Sequence, residues 1–333
     1  MAESITKGCP DPARWTGRTL RLLDQRCLPA RETYVDCERW EDVADAIANM
    51  VVRGAPAIGV AAAFGLALAA RSNTGLAGLA LAGERLKLAR PTAVNLAWAV
   101  DRVLARCGDE SSLFDDVLQQ ALSIQAEDLR ANHAMARHAT ECLQGNVNVY
   151  THCNTGSLAT AGFGTALGVV RQLQAEGRLG DVFVGETRPW LQGARLTAWE
   201  LAMDGIQPTL VVDSAAASIM RAGRIDVVIT GADRITADGD VLNKIGTYGL
   251  AVLARHHGLR MMVVAPMSTV DMNATSASEI EIEERPSDEI TTWAGQRHAP
   301  QDIRVFNPVF DATPYALIDW IVTEQGVFQP AMI

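Results

Sequence analysis

A cysteine that follows a short apolar run is the first residue in this chain with clear chemical potential. The run is NVNVYTH (146–152), and Cys153 opens the small polar stretch CNTGS. If the run is a strand and a helix begins after it, the free amides and helix dipole lower the thiol pKa and suit a phosphate. The alternative is a buried cysteine that packs as a small hydrophobe beside an ordinary turn. Position alone leaves both interpretations open.

A carboxyl group and a cation follow the apolar run DVVITG (226–231). Asp233 comes after this run, where apolar surroundings would raise its pKa and make it a general acid or base. The alternative is an aspartate that caps a turn. Asn243 and Lys244 are predicted to open the helix that follows, and a lysine there opposes the helix dipole. This misfit suggests an anionic ligand, although a solvated lysine also explains it.

Two arginines and a glutamine lie among small or polar residues. Arg53 precedes Gly54 and Ala55, which allow close approach of the backbone, and Arg90 stands just before a predicted helix. Arginine can grip a phosphate through two hydrogen bonds, although a structural cap or a surface salt bridge explains either residue singly. Gln192, in ETRPWLQGARLT, can both donate and accept, which suits a sugar hydroxyl.

Metal and nucleotide cofactors are not expected. The six cysteines show no CxxC pair and no zinc spacing, and the histidines have no i, i+4 partner with ligand spacing. The segment GFGTALG (162–168) is GxGxxxG and falls too late after its strand for a dinucleotide fingerprint.

The elements that position these residues divide near residue 145. Residues 1–144 are predicted to form a mainly helical domain with a small β hairpin within 18–40, because apolar residues recur at three- and four-residue spacing. Residues 145–333 alternate short apolar runs with helical stretches, which indicates a doubly wound, Rossmann-like parallel sheet. The predicted strands are 146–152, 181–186, 208–213, 226–231 and 259–266. The predicted helices are 158–177, 191–205, 215–223, 242–258 and a last helix at 314–326.

The α/β fold class carries an expectation about the site, and the charge limits its partners. In doubly wound sheets the ligand binds outside the carboxyl ends of the strands, where Cys153 and Asp233 are placed. The 333 residues carry a net charge of −10, so nucleic-acid binding is not expected without a local basic patch. The longest weakly polar run, 54–70, is too short for a membrane span. The N-terminus lacks the apolar core of a signal peptide, so we expect a cytoplasmic protein with reduced thiols.

Nine segments together resemble the methylthioribose-1-phosphate isomerase family. This family is related to the regulatory subunits of eukaryotic initiation factor 2B and to archaeal ribose-1,5-bisphosphate isomerase. The matches run in order over residues 18–326. The segments are RGAPAIG (53–59), RPTAVN (90–95), THCNTGSLAT (151–160), ETRPWLQGARLTAWEL (186–201), GADRI (231–235), GDVLNKIGTY (239–248), APMSTVD (265–271), IEERP (282–286) and FNPVFDATP (306–314).

The resemblance implies an aldose–ketose isomerase that converts 5-methylthioribose 1-phosphate to 5-methylthioribulose 1-phosphate in methionine salvage, as a homodimer without a cofactor. It also implies a helical N-terminal part and a Rossmann-like C-terminal part. One departure is Gly185, where the family usually has an acidic residue before ETRP. The implied catalytic pair is Cys153 and Asp233, and the implied substrate contacts are Arg53, Gly54, Ala55, Arg90, Gln192, Asn243 and Lys244.

Two points stay open on the sequence. Asp233 is suited to protonate the ring oxygen, while Cys153 is either the base that relays a proton or a group that stabilises charge during a hydride shift. The alternative functions are an isomerase of 5-deoxyribose 1-phosphate or ribose 1,5-bisphosphate, and a non-catalytic regulatory subunit that binds a sugar phosphate or nucleotide. The motifs carry no surplus of lysine for a second phosphate, and the Cys–Asp pair favours an enzyme.

Overall fold

A small antiparallel sheet begins the chain. The computed structural model describes residues 8–72, 75–108 and 110–330; residues 1–7, part of the N-terminus considered above, lie outside this range. Strands β1 (Ala13–Trp15), β2 (Leu20–Leu23) and β3 (Tyr34–Cys37) pair in sequence order. The predicted hairpin is therefore present as β2–β3, and β1 extends it.

Five helices follow, and four of them pack around the fifth, α2. They are α1 (Trp40–Ala48), α2 (Ala55–Arg71), α3 (Gly75–Leu88), α4 (Val94–Leu104) and α5 (Leu113–Glu141). Helix α2 is rich in alanine and glycine and is buried along almost its whole length. Small side chains let α4 approach closely, since a Cβ on Gly59 would lie 2.8 Å from the Asn95 carbonyl oxygen. The α2 axis is therefore held firmly, and so is its N-terminus.

The rest of the chain alternates strands and helices. The strands are β4 (Val147–Thr151), β5 (Leu179–Gly185), β6 (Thr209–Val211), β7 (Val227–Thr230), β8 (Arg234–Thr236), β9 (Val241–Lys244), β10 (Arg260–Val264), β11 (Val270–Asp271), β12 (Thr292–Trp293), β13 (Gln296–Arg297), β14 (Phe310–Thr313), β15 (Trp320–Thr323) and β16 (Gly326–Phe328). The helices are α6 (Ala166–Ala175), α7 (Ala198–Met203), α8 (Ala216–Arg221), α9 (Thr247–His256) and α10 (Asp288–Thr291).

The large sheet has the order β16-β15-β10-β7-β4-β5-β6, and its strands are parallel except for β16. One face packs on α5, α6 and α7, and the other packs on α8 and α9. Successive residues of β7 lie on opposite faces of the sheet. Val227 and Ile229 pack on the face covered by α5, α6 and α7, and Val228 packs on the face covered by α8 and α9. The predicted doubly wound α/β fold and all five predicted strands are confirmed.

A second sheet, of order β11-β8-β9-β14, lies beyond the carboxyl end of β7. The predicted helix 242–258 begins only at Thr247, because residues 241–244 form β9 and pair with β8 and β14 on either side. Gly246, with φ +104°, turns the chain between β9 and α9. The prediction that Asn243 and Lys244 open a helix is therefore wrong.

Two other predicted helices also need correction. The predicted helix 314–326 is replaced by a short 3₁₀ turn and by β15 and β16. The stretch Trp320–Thr323 completes the sheet beside β10, and its Ile and Val side chains fill the core as β-branched residues do in strands. The predicted helix 158–177 begins only at Ala166, because the chain folds irregularly through Gly164, which has φ +92°.

Helix α5 contacts both halves of the molecule. Its first part, including Val117 and Ile124, belongs to the helical core, whereas Met135 and Ala139 pack against the large sheet. The division into domains at 144/145 stays a prediction. Within the described residues, no helix combines the length and apolar character required to cross a bilayer.

Candidate active site

One cleft brings together all nine residues singled out from the sequence. It lies between the N-terminus of α2, the carboxyl ends of β4 and β7, and strand β9. Arg53 and Lys244 therefore line the same cleft, although almost two hundred residues separate them in the sequence. The nine residues are Arg53, Gly54, Ala55, Arg90, Cys153, Gln192, Asp233, Asn243 and Lys244.

The backbone of Cys153 is held from both sides. Its N–H donates to the Thr187 hydroxyl oxygen at 2.8 Å, and its carbonyl accepts from the Thr197 hydroxyl at 2.6 Å. Cys153 has φ +62°, a left-handed conformation that an ordinary residue keeps only when its surroundings hold it there. The thiol is buried in the cleft wall, so its direction is set by these hydrogen bonds.

The surroundings of the thiol differ from the sequence prediction. A single 3₁₀ turn at Ser157–Ala159 follows the cysteine loop, and the α-helix after it starts at Ala166. Burial raises the pKa of the Cys153 thiol, and the positive charges of Arg53 and Lys244 oppose this only in part. Of the two interpretations that the sequence left open, this shift favours a buried cysteine over a thiol of lowered pKa, because desolvation outweighs the nearby cations.

Asp233 lies just beyond β7, where its backbone N–H donates to the Leu242 carbonyl at 2.9 Å. Burial raises the pKa of its carboxyl group, and Lys244, Arg53 and Arg90 oppose this rise. The predicted direction of the pKa shift is confirmed. A carboxyl group whose pKa is raised holds its proton more readily than an ordinary aspartate and is suited to donate it to a bound molecule.

Asn243 and Lys244 reach the cleft from β9. The Lys244 ammonium donates to the Val309 carbonyl at 3.0 Å and lies 4.7 Å from the centre of the Phe310 ring. The Asn243 amide donates to the Thr247 hydroxyl at 3.0 Å. Burial lowers the pKa of Lys244, while Cys153 and Asp233 oppose this shift. The lysine is thus fixed by a strand and a neighbouring carbonyl.

The helix N-terminus at this cleft belongs to α2. Gly54 precedes the helix with φ +98°, and a Cβ on it would lie 2.5 Å from the Ala159 Cα atom. The backbone of Ala55 therefore meets the cysteine loop closely at the start of a 17-residue helix. Free amides and the positive end of a helix dipole are the usual place for a phosphate group in a protein.

Three polar atoms of the cleft walls are buried and have no hydrogen-bond partner within the described part of the chain. They are Arg90 Nε, Gln192 Oε1 and Thr155 Oγ1. Buried polar atoms are normally paired, so atoms left free at the walls of a cleft suit a polar ligand. This donor and acceptor set matches the sugar and phosphate groups anticipated for Arg90 and Gln192.

The other polar residues of ETRPWLQGAR support the structure around the cleft. Arg195 donates to the carbonyls of Gln25, Arg26 and Leu28, and its guanidinium stacks over Trp190.

The departure from the family pattern at Gly185 has a physical explanation. A Cβ there would lie 2.8 Å from the Tyr150 hydroxyl and 3.1 Å from an Asp213 carboxylate oxygen, so the position is already filled.

The cleft also contains residues to which no role was given from the sequence. Arg285 donates to Glu289 at 2.8 Å and to the Met50 sulfur at 3.2 Å, and Ile280 and Phe310 add apolar surface. Arg285 stands in the IEERP segment, so the resemblance marked its neighbourhood. Met50 carries no such signal, and only its φ of +57° and its place before α2 bring it to the cleft.

The described residues contain no group of three or more His, Cys, Asp or Glu side chains placed to hold a metal ion. The expectation of a reaction without metal or cofactor stays a prediction. The fold and the cleft define an α/β protein whose cleft contains cationic side chains, an acid and a thiol.

Comparison with known proteins identifies the family. Residues 51–330 match the Initiation factor 2 subunit family. A methylthioribose-1-phosphate isomerase of Xylella fastidiosa is 53% identical over 325 residues, 96% of this chain and 92% of that protein. The chain belongs to the Initiation factor 2 subunit family and, within it, to the methylthioribose-1-phosphate isomerases.

Two solved structures agree in fold. One is 5-methylthioribose 1-phosphate isomerase from Pyrococcus horikoshii, which matches with a TM-score of 0.91 and 44% identity over 98% of this chain and 94% of that one. The other is described as the translation initiation factor eIF-2B, subunit delta, from A. fulgidus. It matches with a TM-score of 0.85 and 40% identity over 97% of this chain and 96% of that one.

Proposed function

We propose that this chain is an isomerase that converts 5-methylthioribose 1-phosphate to 5-methylthioribulose 1-phosphate. One observation carries the proposal: a buried acid, a thiol and cations without an ion-pair partner among the described residues lie in one cleft of a chain 53% identical to proteins of that name. A non-catalytic subunit that only binds a sugar phosphate has no need of the Cys153–Asp233 pair.

The charges of the cleft favour a substrate with one phosphate. Two of the cleft arginines are already paired, Arg285 with Glu289 at 2.5 Å and Arg234 with Asp271 at 3.5 Å. Arg53, Arg90 and Lys244 form no ion pair among the described residues. With Asp233 protonated, three cations exceed the charge of one phosphate dianion by a single positive charge, which is too little to balance the second phosphate of ribose 1,5-bisphosphate.

Asp233 begins the reaction as an acid. The substrate carries a phosphate ester on its anomeric carbon, so its ring cannot open by loss of a hydroxyl proton. The protonated Asp233 donates its proton to the ring oxygen, and the bond between C1 and that oxygen breaks. Burial raises the pKa of Asp233 and so favours the protonated form that this step requires.

Hydrogen then moves from C2 to C1 as a hydride. The electron pair of the C2–H bond travels with it to the electron-poor C1, and the 2-hydroxyl returns a proton to the Asp233 carboxylate as the C2 carbonyl forms. The raised pKa of Cys153 favours this route over proton abstraction, since a protonated thiol is a poor base. The thiol is placed to stabilise the developing charge in a cleft with apolar walls.

Proton NMR of the purified protein with 5-methylthioribose 1-phosphate in deuterated buffer tests both parts of this proposal. We expect the ketose phosphate with no deuterium at C1. Deuterium at C1 would replace the hydride step by proton transfer through an exchangeable group. Absence of the ketose would contradict the function, and turnover of 5-deoxyribose 1-phosphate or ribose 1,5-bisphosphate alone would reassign the substrate.

We further propose that the protein is a cytoplasmic homodimer, as the resemblance implies. Light scattering coupled to size-exclusion chromatography is expected to give twice the mass of 35.7 kDa. A monomeric mass at working concentration would contradict the dimer.

A further inference from the structure

Among the residues that the structure describes, a single one forms hydrogen bonds with the Arg53 guanidinium in the cleft. Its Nη1 donates to the Asn154 side-chain oxygen and its Nη2 donates to the Asn154 backbone carbonyl, both at 2.7 Å. Arg53 is 9% exposed, and both acceptors belong to a neutral residue. The arginine is thus fixed without an opposing carboxylate, and its positive charge stays available to a bound anion.

The side-chain amide of Asn154 is itself held in one orientation. Its nitrogen donates to Glu200 Oε1 at 2.8 Å and to the Thr197 hydroxyl oxygen at 3.3 Å. Asn154 is completely buried, so no water competes for these groups. Because both amide protons have acceptors on this side, the amide oxygen has to face Arg53.

Glu200 supports this arrangement and is itself held in place by several hydrogen bonds. Its carboxylate is fully buried and accepts from the Ser157 backbone N–H and hydroxyl, at 2.8 and 2.9 Å, and from the Leu158 N–H at 3.1 Å. Arg171 donates to it at 2.9 Å and also pairs with Asp204 at 2.6 Å, so one guanidinium faces both carboxylates. The loop lies so close that a Cβ on Gly156 would come within 2.1 Å of Glu200 Oε2.

We propose that Asn154 is a positioning residue: its amide, oriented by Glu200 and Thr197, holds the Arg53 guanidinium where the phosphate of the substrate binds. The inference rests on the proposed function for the identity of the substrate. It assigns Asn154 a role through Arg53, and Glu200 and Thr197 act one step further from the ligand.

The choice of an amide has an electrostatic reason. A carboxylate at position 154 would neutralise Arg53 and would lie next to the Glu200 carboxylate, which is buried and charged. A neutral amide avoids both effects while it accepts from Arg53 and donates to Glu200. The chain therefore keeps a buried carboxylate near the cleft without reducing the cleft's attraction for an anion.

A double-mutant cycle of Asn154→Ala and Arg53→Ala tests the proposal. Asn154→Ala alone is expected to raise KM for 5-methylthioribose 1-phosphate by about tenfold, with kcat changed less than about threefold, because Arg53 loses its fixed position. In the Arg53→Ala background the same change is expected to alter KM by less than about twofold. If Asn154→Ala raises KM by the same factor in the Arg53→Ala background as in the unmodified protein, the proposal is overturned.

The control and the fallback keep this result interpretable. Asn148→Ala removes an asparagine of β4 that accepts from the Asp181 N–H and does not line the cleft; it is expected to leave KM unchanged. If Asn154→Ala does not fold, Asn154→Ser replaces it in the cycle. If the unmodified protein does not turn over this sugar phosphate, the proposed function fails, and the same cycle on the dissociation constant of inorganic phosphate decides the role of Asn154.

Discussion

Asp233 and Cys153 share surroundings in which burial opposes the charged form of both groups. Burial is the largest influence on the pKa of each residue, and Arg53 and Lys244 oppose it in both cases. The outcome at both residues is a raised pKa. Burial therefore favours the uncharged form of both groups, and in the proposed reaction Asp233 donates a proton while the neutral thiol stabilises charge.

Replacement of the acid is expected to remove activity and leave the fold intact. Asp233→Asn keeps the size of the side chain but has no acidic proton, so we expect kcat to fall by about a thousandfold, within the range for loss of general acid catalysis. Steady-state kinetics with 5-methylthioribose 1-phosphate measures this. Asp181→Asn, at an exposed aspartate paired with Arg224, is the matched control and is expected to keep full activity. An Asp233→Asn variant with normal kcat would contradict the assignment.

The thiol is expected to react as an unactivated cysteine. Because burial raises the pKa of Cys153 above its ordinary value of 9.0, alkylation of this residue should become fast only above that pH. Mass spectrometry of the Cys153 peptide after timed exposure to iodoacetamide gives the rate at each pH. A midpoint below about pH 8 would mean that the thiol is activated and would favour proton transfer over the hydride shift.

At the residue scale, the chemistry of single side chains could be predicted but their electrostatics could not. Asp233 and Cys153 were placed at strand ends by the apolar runs before them, and the structure puts both in the cleft. The sequence left the sign of the Cys153 pKa shift open, because that sign depends on burial by distant segments and not on the local turn. Met50 was missed because an isolated methionine has no distinctive spacing.

At the element scale, strand β9 shows how pairing overrides a local pattern. The sequence pattern predicts that a helix includes most of Val241–Lys244. In the structure, hydrogen bonds to β8 and β14 hold this stretch extended. The same choice places Lys244 across from Phe310, its partner in the β9–β14 register. A lysine at a helix start would have been close to solvent, whereas a lysine in a central strand is buried in the cleft wall.

The start of α2 is an element on which the cleft depends. Gly54→Ala is expected to destabilise the protein by about 1–3 kcal/mol. Alanine is strained at φ +98°, and its Cβ atom would lie 2.6 Å from the Ala159 Cβ atom. Activity should fall as well, because α2 then moves away from the cysteine loop. Urea unfolding and steady-state kinetics measure the two effects.

A second glycine provides the control for this prediction. Gly249 lies within α9 and is exposed, and a Cβ added to it would meet open space, with nothing within 4 Å. Gly249→Ala is therefore expected to stabilise the protein by up to about 1 kcal/mol, as alanine does in helices, with activity unchanged. Equal stability of the Gly54→Ala variant and the unmodified protein would contradict the close approach.

At the scale of the whole molecule, α5 connects the helical core to the sheet, and Asp128 stands where they meet. Its carboxylate accepts from the Ala161 N–H at 2.7 Å and from the Asn132 amide at 3.0 Å. Burial raises its pKa from 3.8 to about 6, and the charge of Glu324 adds to the rise. The contact between the halves therefore contains a carboxyl group that binds a proton more tightly when the protein is folded.

This group is expected to make stability depend on pH. The folded state binds the proton more tightly than the unfolded state, so the free energy of unfolding should fall as pH rises from about 4 to about 6. Asp128→Asn removes the group, and its stability relative to the unmodified protein should therefore increase over that range. Urea unfolding of both proteins at several pH values measures the difference. Parallel curves would contradict the raised pKa.

The sequence by itself determined the fold class, five parallel strands and nine of the residues that line the cleft. These features rest on apolar periodicity and on contiguous motifs, which are local and need no knowledge of distant contacts. The family match is of the same kind, since it depends on segments in fixed order along the chain.

The tertiary structure decided what the local signals left open. It placed Arg53 against Asn154, about a hundred residues away, turned residues 320–323 into a strand beside β10, and raised the thiol pKa by burying it. Each of these results depends on contacts between segments that are far apart in sequence. Desolvation and strand pairing arise only when those segments meet, so no local pattern of residues contains them.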